Sequence, residues 1–237
     1  MKNTILLFVF SMALFSSCKD KLLDNTNLKD DFNFFPVDSG QTAVYQVFQL
    51  TIDKPSAVYD TLTWQQKEVI LGWYLDAAKD TMHLVEIYTR PGPGFGWSYL
   101  KTKFISIMGL EAITLEDNIR CVALSFPISL YKTWDGNRYN QLDTLKLYPF
   151  QYTSVHHPAR VFQSIFDSVV CVTQKADSSL IHKDLDIEKY AKNIGLIFKS
   201  SVSIRSDQSD FDPTIPIDDR ISTGVIYKKE IISHENY

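Results

Sequence analysis

Residues 81–90 read TMHLVEIYTR. In an extended chain, His83, Val85, Ile87 and Thr89 fall on one side, and Met82, Leu84, Glu86 and Tyr88 on the other. Both sides are partly apolar. A strand with one face against water carries a clean alternation of dry and wet residues, which this one does not. It fits a curved sheet with a second layer on one side, or a partly closed barrel.

Similar segments lie on either side. Residues 43–52, 60–76, 97–109, 118–128, 142–155, 169–174, 194–204 and 223–233 are rich in Val, Ile, Thr, Tyr and Phe. Gly, Pro, Asn and Asp punctuate them, as expected of strands and turns. The spacing is that of an antiparallel meander, not of strands alternating with long helices. Two short helices are expected. Residues 158–168 place Pro158 in a first turn and group Val161, Phe162, Ile165 and Phe166 on a rough stripe. Residues 184–193 offer Asp186 as a cap, Ile187, Tyr190 and Ala191 on one face, and Gly195 as a stop. The acidic stretch 207–220 reads as a long exposed hairpin loop. The fold class is mainly β: a curved antiparallel sheet, sandwich or partly closed barrel with one or two short helices.

The first residues follow different rules. Lys2 precedes a run of about ten mostly apolar residues from Ile5 to Leu14, the layout of a secretory signal. The run is shorter than the roughly 20 residues a spanning helix needs. An ordinary signal peptidase requires small residues at the last and third-last positions before the cut, and Leu14 and Phe15 are bulky. The stretch LFSSC, ending at Cys18, resembles a bacterial lipobox, in which the cysteine becomes the lipidated first residue of the mature chain. That resemblance implies a signal peptide over 1–17 and a lipid on Cys18, and with it a bacterial envelope location as an outer-membrane lipoprotein, the leaflet left open. Residues 18–33, charged and Asn-rich after the cysteine, read as a flexible tether. A single β-rich domain is expected over 34–237.

Composition excludes some partners. The chain carries 24 basic against 28 acidic residues, with no Lys/Arg block. It therefore has neither the basic stripe of a nucleic-acid binder nor a polybasic lipid patch. Apolar residues make up 45%, enough to fill a real core. Cys121 and Cys171 sit in β-branched runs. Outside the cytoplasm they can pair as a disulfide, or remain two buried thiols.

Candidate chemistry is sparse. PGPGFG (91–96) is not followed by a Lys-Ser/Thr pair or a helix start, and its prolines remove two donors, so it reads as a connection between strands. His156 and His157 are adjacent and point to opposite faces; His83, His182 and His234 are isolated. No metal site or cofactor is expected. There is no G-x-S-x-G elbow. Glu68, Glu86, Glu111, Glu116 and Asp135 are the acidic candidates for glycosidase chemistry, but sequence does not set the required separation of about 5 to 10 Å. Trp64, Trp73, Trp97 and Trp134 either fill the core or line a concave pocket.

Three motifs go together: FFPVDSGQTAVYQV (34–47), WDGNRYN (134–140) and EKYAKNIGLIFK (188–199). As a set they resemble those of uncharacterised Bacteroidota envelope lipoproteins. The resemblance implies an antiparallel β domain behind a lipidated N-terminus and brings no catalytic residues. Physically, Pro36 and Gly40 frame the turn into the first strand. Trp134 and Tyr139 flank a tight turn with Gly136 at positive φ. Tyr190 docks a short helix that Gly195 ends. The expected role is a non-enzymatic structural or protein-interaction one at the membrane. The alternatives are binding of a lipid or small apolar ligand in a concave sheet, and an envelope hydrolase.

Overall fold

A computed structural model describes residues 25–140, 149–207, 212 and 214–235. Among these, a helix α1 (Asn25–Phe32) precedes twelve strands. They are β1 (Thr42–Asp53), β2 (Val58–Leu75), β3 (Thr81–Arg90), β4 (Ser98–Met108), β5 (Glu111–Glu116) and β6 (Ile119–Ser125). After them come β7 (Thr133–Asp135), β8 (Pro149–Val161), β9 (Ser164–Ser178), β10 (His182–Ala191), β11 (Gly195–Ser206) and β12 (Ile221–Glu235). One 3-10 turn, Ile217–Asp219, interrupts the β11–β12 connection.

The topology is an up-and-down meander. All twelve strands form one sheet in the order β6-β5-β4-β3-β2-β1-β12-β11-β10-β9-β8-β7. Every pairing is antiparallel, and β1 and β12 join the two halves from Thr42↔Glu235 to Asp53↔Thr223. The sheet edges, β6 and β7, then come together. The Val122 amide donates to the Gly136 carbonyl at 2.8 Å. Trp134 Nε1 donates to the Val122 carbonyl at 2.8 Å, and Asn140 bonds both the amide and the carbonyl of Arg120. Side chains thus take over where a backbone ladder stops, and the sheet becomes a nearly closed antiparallel barrel. Closure leaves few unpaired strand groups exposed.

One end of the barrel is plugged. Leu28 and Phe32, four apart on α1, lie against the core, and the Phe32 ring meets Phe126 edge-on at 4.7 Å. Asp31 accepts a 2.8 Å hydrogen bond from the Ile128 amide. Asn193 N–H donates to the Asn33 carbonyl at 2.7 Å. Phe34 and Phe35 follow into a cluster with Ile70, Val85, Ile105, Leu124, Phe126 and Tyr152. Phe34 is wholly buried, which contributes about 2–3 kcal/mol. The residues from 25 to 33, expected as tether, are therefore partly folded onto the barrel.

Both expected helices are strands. Residues 158–168 are the end of β8, a tight turn at Phe162 (φ 51°) and Gln163, and the start of β9. Pro158 is tolerated because the ladder slips register between His157 and Ala159. Residues 184–193 are mostly β10, and the period that matters there is two: Glu188 and Tyr190 share the inward face. Hydrophobicity hid that alternation, because the inward face of β10 is itself charged. Strand β5 was not expected; Gly109, at φ 58°, makes the tight turn that separates it from β4.

Candidate functional site

The barrel encloses a cavity of about 670 Å³. Its plugged end is lined by Phe35, Pro36, Ile70, Val85 and Ile105, and its mouth by Leu100, Lys101, Glu116, Asp117 and Ile119. Leu100 and Ile119 are half-exposed, whereas Ile70, Ile105 and Tyr190 are buried. The cavity therefore opens at the end opposite α1.

A charged belt crosses the lumen. It is built from alternate residues of five strands: Glu68 on β2, Lys103 on β4, Glu188 on β10, Lys199 on β11 and Lys229 on β12. In the ladder, Lys199 stands opposite Glu188 on one side and Lys229 on the other. Two lysines directly opposite repel, so each needs an anion. Lys199 bonds Glu188 at 2.8 Å, and Lys103 bonds Glu68 at 2.7 Å. Lys229 bonds the other oxygen of Glu68 and lies 4.1 Å above the Tyr45 ring. Gln66 donates to Glu68 at 2.8 Å, and the Tyr190 hydroxyl donates to Glu188. Tyr45 reaches past the belt to the Leu196 carbonyl at 2.9 Å.

Electrostatics follow from this packing. Burial pushes the Glu68 carboxyl up, but Lys103 and Lys229 together hold it well below the ordinary carboxylate range. Glu188 is likewise lowered, burial being outweighed by Lys199 and Tyr190. Glu188 raises Lys199, whose side chain is 42% exposed, toward the cavity. Burial lowers Lys229 despite Glu68. The Cys121 thiol, also facing the cavity, is pushed up to about 12 by burial. It is protonated at neutral pH and is no nucleophile there. At the mouth, Lys101 bonds Glu116 at 2.7 Å and Asp117 at 2.6 Å, all three partly in water.

The motif residues divide between lumen and seam. Pro36, Tyr190 and Gly195 line the plugged end of the cavity. Gly195 sits at φ 88° with the Pro36 ring 3.3 Å from where a Cβ would stand. Gly40, at φ 93°, gives its amide to the Ile70 carbonyl at 2.7 Å. Trp134, Gly136 and Tyr139 belong to the β6–β7 seam. Gly136 does not have the positive φ expected of it; the Phe150 ring occupies the space of a side chain, 2.3 Å from a built Cβ. Tyr139 donates to Glu111 at 2.7 Å. Cys121 and Cys171 are both free thiols. Cys18 lies outside the described residues.

Of the acidic candidates, Glu68 and Glu116 reach the cavity. Glu86 accepts from Tyr88, Glu111 pairs with Arg138, and Asp135 accepts from the Asn137 amide. None of the four tryptophans lines the cavity, whose aromatic lining is Phe35, Tyr45, Tyr190 and Tyr227. Trp97 instead lies between Arg90 and Lys67, and Trp73 is exposed. His83, His156 and His157 are dispersed, and among the described residues no group of three or more His, Cys, Asp or Glu is placed to hold a metal. Sequence reasoning missed Lys103, Glu188, Lys199 and Lys229. The signal was present in KTKFISI, where Lys101, Lys103 and Ile105 share a face, but charge in a strand is ordinarily read as facing water.

Comparison with protein-family models, curated proteins and solved structures gave no match. The architecture is that of a mainly β barrel with a lumen and exposed apolar side chains, a form suited to a structural or small-molecule-binding role.

Proposed function

We propose that this chain is a non-enzymatic binding protein of the bacterial envelope, tethered by a lipid on Cys18, whose lumen takes a small amphipathic molecule. The observation that carries it is the cavity of about 670 Å³, open at one end and plugged at the other. Its size falls within the range of roughly 300–1,000 Å³ common to small-molecule sites. An apolar plugged end beside a charged belt suits a molecule with both characters. Both buried carboxylates are ionised and lysine-bound, and the lumen thiol is protonated, which favours holding over chemistry.

Native mass spectrometry of residues 19–237, secreted to the periplasm and purified without detergent, tests this reading. A reproducible extra mass that leaves on denaturation supports it. A bare polypeptide mass that stays bare after incubation with an envelope lipid extract counts against it. The second reading, a protein partner, needs a contiguous apolar patch, whereas the exposed Tyr59 and Trp73 stand near opposite ends of β2.

A further inference from the structure

The belt offers more donors than acceptors. Both oxygens of Glu68 are occupied, one by Lys229 and Gln66 and the other by Lys103. Both oxygens of Glu188 are occupied as well, by Lys199 and Tyr190. Each lysine ammonium carries three N–H groups, and Lys103, Lys199 and Lys229 each spend one on a carboxylate. A molecule reaching the belt meets N–H donors and few free acceptors.

The charge has the same sign. Three ammonium groups share two carboxylates, which leaves one positive charge inside the barrel. The lysines feel one another: Lys103 and Lys199 both oppose the charge on Lys229. The remaining lumen charges, Lys101, Glu116 and Asp117, sit at the mouth with side chains 34–67% exposed, where water and salt screen them. Within the belt, the Lys103 and Lys229 side chains are only 12% and 6% exposed and are screened less than the mouth charges, while Lys199, 42% exposed, is the belt ammonium most open to the cavity. Toward the plug the wall turns apolar, with Ile70, Val85 and Ile105, whereas at the mouth Leu100 and Ile119 stand among Lys101, Glu116 and Asp117.

We propose that the lumen is selective for an anionic amphiphile, its headgroup seated on the ammonium groups of Lys103, Lys199 and Lys229 and its apolar chain along the adjoining wall. This rests on the reading that the lumen binds small molecules. A carboxylate and a phosphate monoester share the required chemistry. A cationic amphiphile would bring a like charge against the three belt ammonium groups, and a neutral ester offers acceptors without charge.

The test uses residues 19–237 and a dansyl-labelled long-chain fatty acid, whose fluorescence rises on transfer from water to an apolar site. Laurate, dodecyl phosphate, methyl laurate and dodecyltrimethylammonium are the competitors. Laurate or dodecyl phosphate is expected to displace the label at concentrations about tenfold or more below methyl laurate, with no displacement by the cation. Which of the two anions competes better assigns the headgroup. Lys199→Gln and Lys103→Gln are expected to weaken binding about tenfold, and Lys101→Gln, at the screened mouth, by less than about threefold. Far-UV circular dichroism and thermal melts identify variants that fold; Lys199 borders the cavity and tolerates change best. Methyl laurate matching laurate, or a folded Lys199→Gln variant with unchanged affinity, overturns the anion assignment and leaves the lumen reading standing. No binding of any of these compounds overturns both.

Discussion

Glu68 and Lys229 meet inside the barrel although 161 residues separate them. They lie on β2 and β12, the two neighbours of β1, and their side chains meet across it. Glu68 stands opposite Ala43 and Lys229 opposite Val47, and the Lys229 ammonium lies over the Tyr45 ring between them. The pair therefore ties the first hairpin to the last strand from within. Replacing Glu68 by Gln leaves Lys229 and Lys103 facing one another without an anion. Breaking a buried pair in this way costs roughly 3–5 kcal/mol. Urea unfolding of Glu68→Gln is expected to show that loss, and adding Lys229→Met is expected to return part of it. An unchanged midpoint for the single variant would show that the belt contributes nothing to stability.

The same carboxylates set an acid limit. Glu68 and Glu188 are held below their ordinary value of 4.5 in the folded barrel. Folding is therefore favoured by their ionisation above that value, and the contribution is lost as pH falls through the lower folded-state values. Stability is expected to drop on acidification below about pH 4.5, and to drop less steeply in Glu68→Gln. Unfolding midpoints measured in steps from neutral to about pH 3 check this; parallel slopes for the two proteins would exclude Glu68 as a source.

Gly136 is needed for room at the barrel seam. A Cβ there would overlap the Phe150 ring, and its carbonyl receives the Val122 amide that joins β6 to β7. Gly136→Ala is expected to cost about 1–3 kcal/mol and to speed hydrogen exchange at Val122. Phe150→Leu in the same chain should recover stability by opening space. A Gly136→Ala protein as stable as the parent, with Val122 still protected, would mean that the ring simply moves aside.

How much of this was legible follows from which forces act locally. The meander could be read because turn residues and β-branched runs are local signals, and eight of the expected strands coincide closely with β1 to β4, β6, β9, β11 and β12 or parts of them. The helix expected over 184–193 failed for a specific reason. On β10 the buried positions are Asp184, Glu188, Tyr190 and Ala191, two of them charged, so the apolar residues alone suggested the period of a helix in place of that of a strand. The belt was hidden by the same inversion, since Lys103, Lys199 and Lys229 become interior only when the sheet curls. Gly136 was recognised as special, but its cause, a ring brought in from β8, is long-range. α1 was passed over because Leu28 and Phe32 are its main apolar contacts, too few to stand out among charged residues.

Cys121 gives a chemical handle on the lumen. With its thiol pushed up to about 12 by burial, only a minute fraction is thiolate near neutral pH. Iodoacetamide is expected to leave Cys121 of the native protein unmodified under conditions that alkylate a free peptide cysteine, and to modify both Cys121 and Cys171 after denaturation without reductant. A single modified thiol, or none, in that denatured sample would show a disulfide instead of the free thiols seen here.

The position of α1 gives the proposed lipid anchor a direction. Cys18 precedes Asn25 by seven residues, which an extended chain covers in about 25 Å at most. Asn25 begins the helix that plugs the barrel, and the cavity opens at the other end. A lipid on Cys18 would hold the plugged end toward the bilayer and present the mouth away from it. Cys18→Ser is expected to accumulate as an uncleaved precursor without a lipid, while the barrel produced separately from residue 19 binds ligand as the anchored form does. Normal cleavage and membrane retention of the Cys18→Ser chain would remove the anchor. To test the orientation, a cysteine placed at Asp117, on the mouth, should react with a membrane-impermeant maleimide on lipid vesicles as fast as in solution, while one placed at Lys79, in the β2–β3 turn at the opposite end of the barrel, should react more slowly on vesicles. The reverse order would mean that the mouth faces the lipid, and that a ligand passes directly between bilayer and lumen.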